Sequence, residues 1–144
     1  MKNPGTYALV VLSEDRLLLS VGKLGTHDFP PGYYIYVGSA LRGLGARLNR
    51  HLRGEKSLHW HIDYLLSRAT IIQIWYSLGK DRLECVWNII LADLPGATPV
   101  IPGFGSSDCR CRTHLTHFLA TPSFDIFGRE LKKRGLPRLH RLMI

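Results

Sequence analysis

The chain is expected to fold as one α/β domain, a small, mainly antiparallel β-sheet flanked by helices. Three observations predict this. Short β-branched runs alternate with segments of helical period. The first two runs are separated by a turn short enough for a hairpin. With 144 residues, 45% of them hydrophobic and 21% charged, the chain is long enough to bury a core without disulfides or a structural metal.

The elements follow in order. TYALVVL, Thr6 to Leu12, is β-rich, and RLLLSVG, Arg16 to Gly22, is expected to pair back with it across Ser13, Glu14 and Asp15. The Gly- and Pro-punctuated KLGTHDFPPG leads to a third extended run, Tyr33 to Val37. Period-two alternation puts Tyr34 and Tyr36 on one face of it and Tyr33 on the other. From Gly43 to Arg53 the pattern turns helical, with an apolar stripe of Leu41, Leu44, Leu48 and Leu52. Arg47 and His51 are four apart and so project from the same side.

HWHIDYLLSRA predicts a second helix with Ile62, Leu65, Leu66 and Ala69 on one stripe, and TIIQIWYSL, Thr70 to Leu78, predicts a strand. In DRLECVWNIILADL the spacing of Leu83, Val86, Trp87, Ile90, Leu91 and Leu94 predicts a third helix, with Asp81 capping its start and Pro95-Gly96 ending it. Pro95 to His114 reads as a long loop, a kind of segment that is disproportionately functional, and Thr113 to Leu119 as a last strand. Residues 1–120 form the expected domain and 121–144 a basic C-terminal extension. Gly128 to Ile144 holds six Lys or Arg against one Glu.

The net charge of +8 points to phosphates, with DNA as the expected partner; a generic solubilising surface is the blander explanation. No apolar run approaches the length of a membrane span and the N-terminus lacks the pattern of a secretory leader, so a soluble, cytoplasmic protein is expected. Three cysteines, Cys85, Cys109 and Cys111, fit reduced thiols better than a disulfide framework.

Gly5-Thr6-Tyr7 opening the first strand, Tyr36-Val37-Gly38 closing a later one, Arg47 and His51 on the next helix and Glu84 on a later helix resemble, in order and role, the GIY-YIG nuclease superfamily. GYYIYVGSA, LHWHIDYLL and PGFGSSDCRC look more closely like its uncharacterised small-protein branch, the DUF123 family. The resemblance covers Gly5 to about Gly105. It implies a GIY-YIG-like fold and a metal-dependent nuclease hydrolysing DNA phosphodiester bonds in repair or processing. A non-catalytic nucleic-acid-binding module or accessory domain of a repair enzyme is the alternative. Where the superfamily commonly has an asparagine after its metal-binding glutamate, this chain has Gly-Phe-Gly-Ser-Ser-Asp, so Asp108 or Ser107 stands there.

Phosphodiester hydrolysis needs a nucleophilic water, a group to take its proton and positive charge around the non-bridging oxygens. Glu84 offers one hard oxygen to Mg²⁺ or Mn²⁺, and Arg47 a donor fork for phosphate. Tyr7 is the candidate to orient or deprotonate the water, provided nearby cations lower its pKa; His51 is the alternative base. Tyr36 would position a phosphate or share the proton network. His59 and His61 could also reach the phosphate or leaving group, or simply cap and brace the helix; Trp60 reads as packing. Arg42, Arg50, Arg53, Lys132, Lys133 and Arg134 are candidate nucleic-acid contacts. Cys109, Cys111 and His114, with Cys85 elsewhere, could in principle make a zinc site, but the usual Cys-x₂₋₄-Cys spacing and a second cysteine pair are missing, so buried or loop thiols are expected.

Overall fold

The computed structural model describes residues 2–144. Its centre is β1 (Gly5–Ser13), flanked by β4 (Gly32–Ala40) and β5 (Thr70–Leu78). Strand β7 (Leu115–Phe118) extends the sheet from β4, the two-residue β6 (Thr98–Pro99) follows it, and β8 (His140–Met143) pairs with β5. The order is β6-β7-β4-β1-β5-β8 and the pairings are antiparallel. This is the expected fold class.

Strand β1 has little polar alternation because both of its faces are covered. Tyr7, Leu9 and Val11 point into one core with Leu44, Leu48, Ile62 and Leu65 from α1 (Leu44–Leu52) and α2 (His61–Leu66). Ala8 and Val10 point into the other, with Trp87, Ile90 and Leu91 from α3 (Glu84–Ala92) and Phe127 and Leu131 from α4 (Phe124–Lys133). A register shift between Val10 and Val11 leaves Ile72 of β5 without a partner on β1. This bulge lets Ile71 and Ile74, three apart, both enter the first core while Ile72 and Trp75 join the second.

Several expectations need correcting. The expected hairpin between the first two runs does not form, because β4 and β5 occupy both edges of β1. Instead β2 (Leu17–Ser20) pairs with β3 (Thr26–Phe29), a strand inside the segment read as a Gly/Pro connection, in a separate small sheet. Leu17, Leu19 and Phe29 carry it onto the first core. On α1 the buried face is Leu44, Leu48 and His51, whereas Leu41 and Leu52 are exposed; the imidazole replaces a leucine in the stripe. Val86 of α3 is likewise exposed. Asp81 does not cap α3, whose N-cap position is Leu83 with no side-chain cap.

The segment 121–144 packs against the sheet as well as carrying charge. Ser123 Oγ accepts the Ile126 N–H at 3.1 Å and starts α4. Phe127 then lies against Trp75 and Trp87, with ring centroids 5.8 and 5.2 Å apart, and Leu131 and Leu139 are buried. Leu131→Ala should therefore lower the unfolding free energy by about 2–5 kcal/mol, measured by denaturant titration; a loss below about 0.5 kcal/mol would mean that α4 is not part of the cooperative unit.

Candidate functional site

The site starts from a cross-strand pair. Tyr7 of β1 lies opposite Gly38 of β4, and a Cβ at Gly38 would sit 2.6 Å from the Tyr7 hydroxyl. Only the absence of a side chain there lets the phenol lie across the neighbouring strand. The hydroxyl meets Nε2 of His51 at 2.7 Å, and both residues are almost completely buried. Burial pushes the Tyr7 hydroxyl up to about 12, with Arg47 acting in the opposite direction. Burial likewise pulls His51 down to about 3, helped by Arg47, Arg50 and Lys56 against Asp63. The pair is therefore a neutral phenol beside a neutral imidazole. Of the cations that could lower the Tyr7 pKa, Arg47 by itself does not outweigh desolvation.

In front of this pair is a cleft of about 420 Å³. Tyr36 and Gly38 of β4, Arg47 of α1, Glu84 at the first position of α3, His59 and His61 around the start of α2, and Asp108 of the long loop all line it. Tyr36 packs by its ring near Tyr7, His51 and Phe104, and burial holds its hydroxyl well above the ordinary phenol value. Gly105, at φ +67°, leaves the space beside that ring: a Cβ there would lie 2.7 Å from Tyr36 Cε1.

Arg47 is fixed from two sides. Its Nη1 donates to the Ser39 carbonyl at 3.0 Å, and its guanidinium lies 4.5 Å from the Trp60 ring centroid. Arg50 lies over the same ring at 4.1 Å and grips the fully buried Asp63 with two 2.9 Å bonds. Burial acts to raise the Asp63 pKa, but the Arg50 fork and the N–H groups of His59 and Trp60 hold its carboxyl down at about 2. Trp60 packs against the first core, lines the cleft and is the platform under Arg47. His61 is oriented by the Gly105 N–H, which donates to its Nδ1 at 2.8 Å; the neutral ring consequently carries its proton on Nε2, and burial lowers its pKa.

Of the residues singled out in the sequence, Tyr36, Arg42, Arg47, His59, Trp60, His61, Glu84, Ser107, Asp108, Cys109 and His114 line one cleft. Tyr7 and His51 lie behind its wall. Arg50 is engaged by Asp63 and by the Ser57 carbonyl, and neither it nor Arg53, Lys132, Lys133 and Arg134 lines the cleft. The sequence reading missed Arg82, a third arginine of the cleft whose only signal is its place two residues before Glu84. It also left Cys85 apart from Cys109, Cys111 and His114, whereas the ligand atoms of all four lie within 4.8 Å of one another.

A family model described as "Domain of unknown function DUF123" matches residues 6–133. No curated protein and no solved structure matches the chain. No helix among the described residues is long and apolar enough to cross a membrane.

The depressed His51 value predicts a pH dependence. Between the unfolded value of 6.5 and about 3, the unfolded chain binds a proton that the folded protein does not. The contribution is therefore fully present above about 6.5 and is lost as pH falls toward 3. In an NMR titration the His51 ring should keep neutral-imidazole shifts down to mildly acidic pH, with unfolding free energy falling over the same range. A His51 midpoint near the ordinary histidine value would contradict the buried, neutral pair.

Proposed function

The chain belongs to the DUF123 family, and we propose that it is a metal-dependent nuclease that hydrolyses DNA phosphodiester bonds in repair or processing, related to the GIY-YIG nucleases. The observation carrying this reading is the convergence of Tyr36, Arg47 and Glu84, from β4, α1 and α3, on one cleft with the Tyr7–His51 pair behind Gly38. Three arginines, Arg42, Arg47 and Arg82, face the same space as two carboxylates, which suits an anionic substrate together with a cation.

Each residue has a role consistent with its surroundings. Arg47, braced by Ser39 and Trp60, is preorganised to take the non-bridging oxygens of a phosphate. Tyr36 stays a neutral phenol and donates to the phosphate. His61 presents Nε2–H, a positioning donor rather than a base. His51, unprotonated at neutral pH, can accept a hydrogen bond from Tyr7 and so fix the phenol that orients the water; with Tyr7 held up at about 12 and His51 down at about 3, the pair positions the nucleophile rather than serving as a strong base.

Glu84 and Asp108 are absent from the ion pairs formed among the described residues, which leaves hard carboxylate oxygens for Mg²⁺ or Mn²⁺. The donor set fits such an ion, and when bound it would polarise a phosphate oxygen and make a water easier to deprotonate. The deep burial of Tyr7 and His51 is what favours the second reading, a module that binds nucleic acid without cutting it.

The test is incubation of the purified protein with single-stranded, nicked, flapped and branched DNA, with and without Mg²⁺ or Mn²⁺. Metal-dependent cutting is expected, lost in Glu84→Gln and reduced about 10²–10³-fold in Arg47→Ala. Binding that weakens with salt but never leads to cutting on any substrate would select the module; no binding would overturn both.

A further inference from the structure

Cys85 is the second residue of α3, Cys109 and Cys111 lie in the loop between β6 and β7, and His114 directly precedes β7. Their ligand atoms lie within 4.8 Å of one another. Cys85 Sγ is 3.8 Å and Cys109 Sγ 3.2 Å from His114 Nε2. A tetrahedral zinc site with Zn–S near 2.3 Å and Zn–N near 2.0 Å has ligand–ligand edges of about 3.5–3.8 Å. The contacts of 3.8 and 3.2 Å to His114 are near that size, and with every ligand atom within 4.8 Å of the others shifts of about 1 Å would close the set on one ion.

The surroundings discriminate among the uses of such a cluster. The thiols are free and half-buried, and none belongs to either apolar core, so ordinary packing of buried thiols does not describe them. A disulfide would take two sulfurs and leave the third and the imidazole unexplained. A Cys–His nucleophile pair needs one thiol, whereas three converge here.

The histidine is oriented as a ligand. His114 Nδ1 lies 3.2 Å from the Val37 carbonyl; with the proton on Nδ1 donating to that oxygen, the Nε2 lone pair faces the sulfurs, the outer-shell arrangement found around metal-bound histidines. The loop is shaped around this point. Gly103 N–H donates to Arg112 O and His114 N–H to Phe104 O, both at 2.7 Å. Asn88, one turn along α3 from Cys85, donates to Thr113 O at 2.7 Å.

We propose that Cys85, Cys109, Cys111 and His114 bind one zinc ion in a closed Cys₃His site that staples the long loop to the start of α3. With all four positions supplied by protein, the site is structural. It holds Asp108 on the loop and Glu84 on the helix, each next to a ligand in sequence, at the same cleft. The assignment is independent of the nuclease reading, since it concerns different ligands and a different kind of metal. The fourth ligand also stands in for the missing second cysteine pair: Cys85 comes from a helix upstream in the chain.

The experiment is metal analysis of the full chain purified without added chelator, followed by cobalt replacement. One zinc per chain is expected. Cobalt should give the intense visible bands of a tetrahedral ion and sulfur-to-cobalt charge transfer, and Cys111→Ser should weaken both. Should that variant fail to fold, the wild-type cobalt spectrum and thiol count decide the matter alone. Octahedral cobalt bands, a disulfide between two of these cysteines, or stoichiometric iron in place of zinc would each overturn the assignment.

Discussion

The contact on which the site depends is the phenol of Tyr7 lying over Gly38. A side chain at position 38 would collide with that hydroxyl, so the glycine fixes where Tyr7 points, and the 2.7 Å contact with His51 fixes α1 against the sheet. Arg47 is one helical turn before His51. Once the imidazole is seated in the core, the guanidinium is delivered to the mouth of the cleft. A single buried polar contact thus links two strands and a helix, and sets the direction of the principal phosphate-binding candidate.

Electrostatics complete the arrangement. Asp63, buried and held ionised, anchors Arg50; Arg50 and Arg47 both lie over the Trp60 ring. A guanidinium held in this way loses little freedom on binding a phosphate, the condition for strong preorganised stabilisation. The same cations help keep His51 neutral behind them. The basic residues at the end of α4 contribute to the net charge of +8 without lining the cleft, so their contribution to binding would be general attraction rather than positioning.

Much of the fold was legible because local pattern and tertiary context agree. Strand β5 runs over the expected Thr70 to Leu78 and α1 lies within the helical segment Gly43 to Arg53. The alternation of Tyr34 and Tyr36 against Tyr33 also matches the two cores. The failed hairpin between the first two runs shows the limit: pairing across a short turn is the local expectation, but β1 is claimed on both edges by strands far along the chain. Propensity carries no information about that competition. His51 in the apolar stripe of α1 was hidden for a similar reason, since its burial rests on a hydroxyl from β1. Cleft lining by Tyr36, Arg47 and Glu84 follows the ordered motifs, whereas Arg82 and the meeting of Cys85 with the loop cysteines depend on tertiary approach alone.

A proposed cleft that holds both the divalent cation and the scissile phosphate is open to a crystallographic test, a structure of the protein with Mn²⁺ and a short phosphorothioate DNA. Anomalous density for manganese beside the Glu84 carboxylate is expected, with a phosphate within hydrogen-bonding distance of the Arg47 guanidinium. DNA bound on the α4 and β8 side, with neither manganese nor phosphate in the cleft, would contradict it.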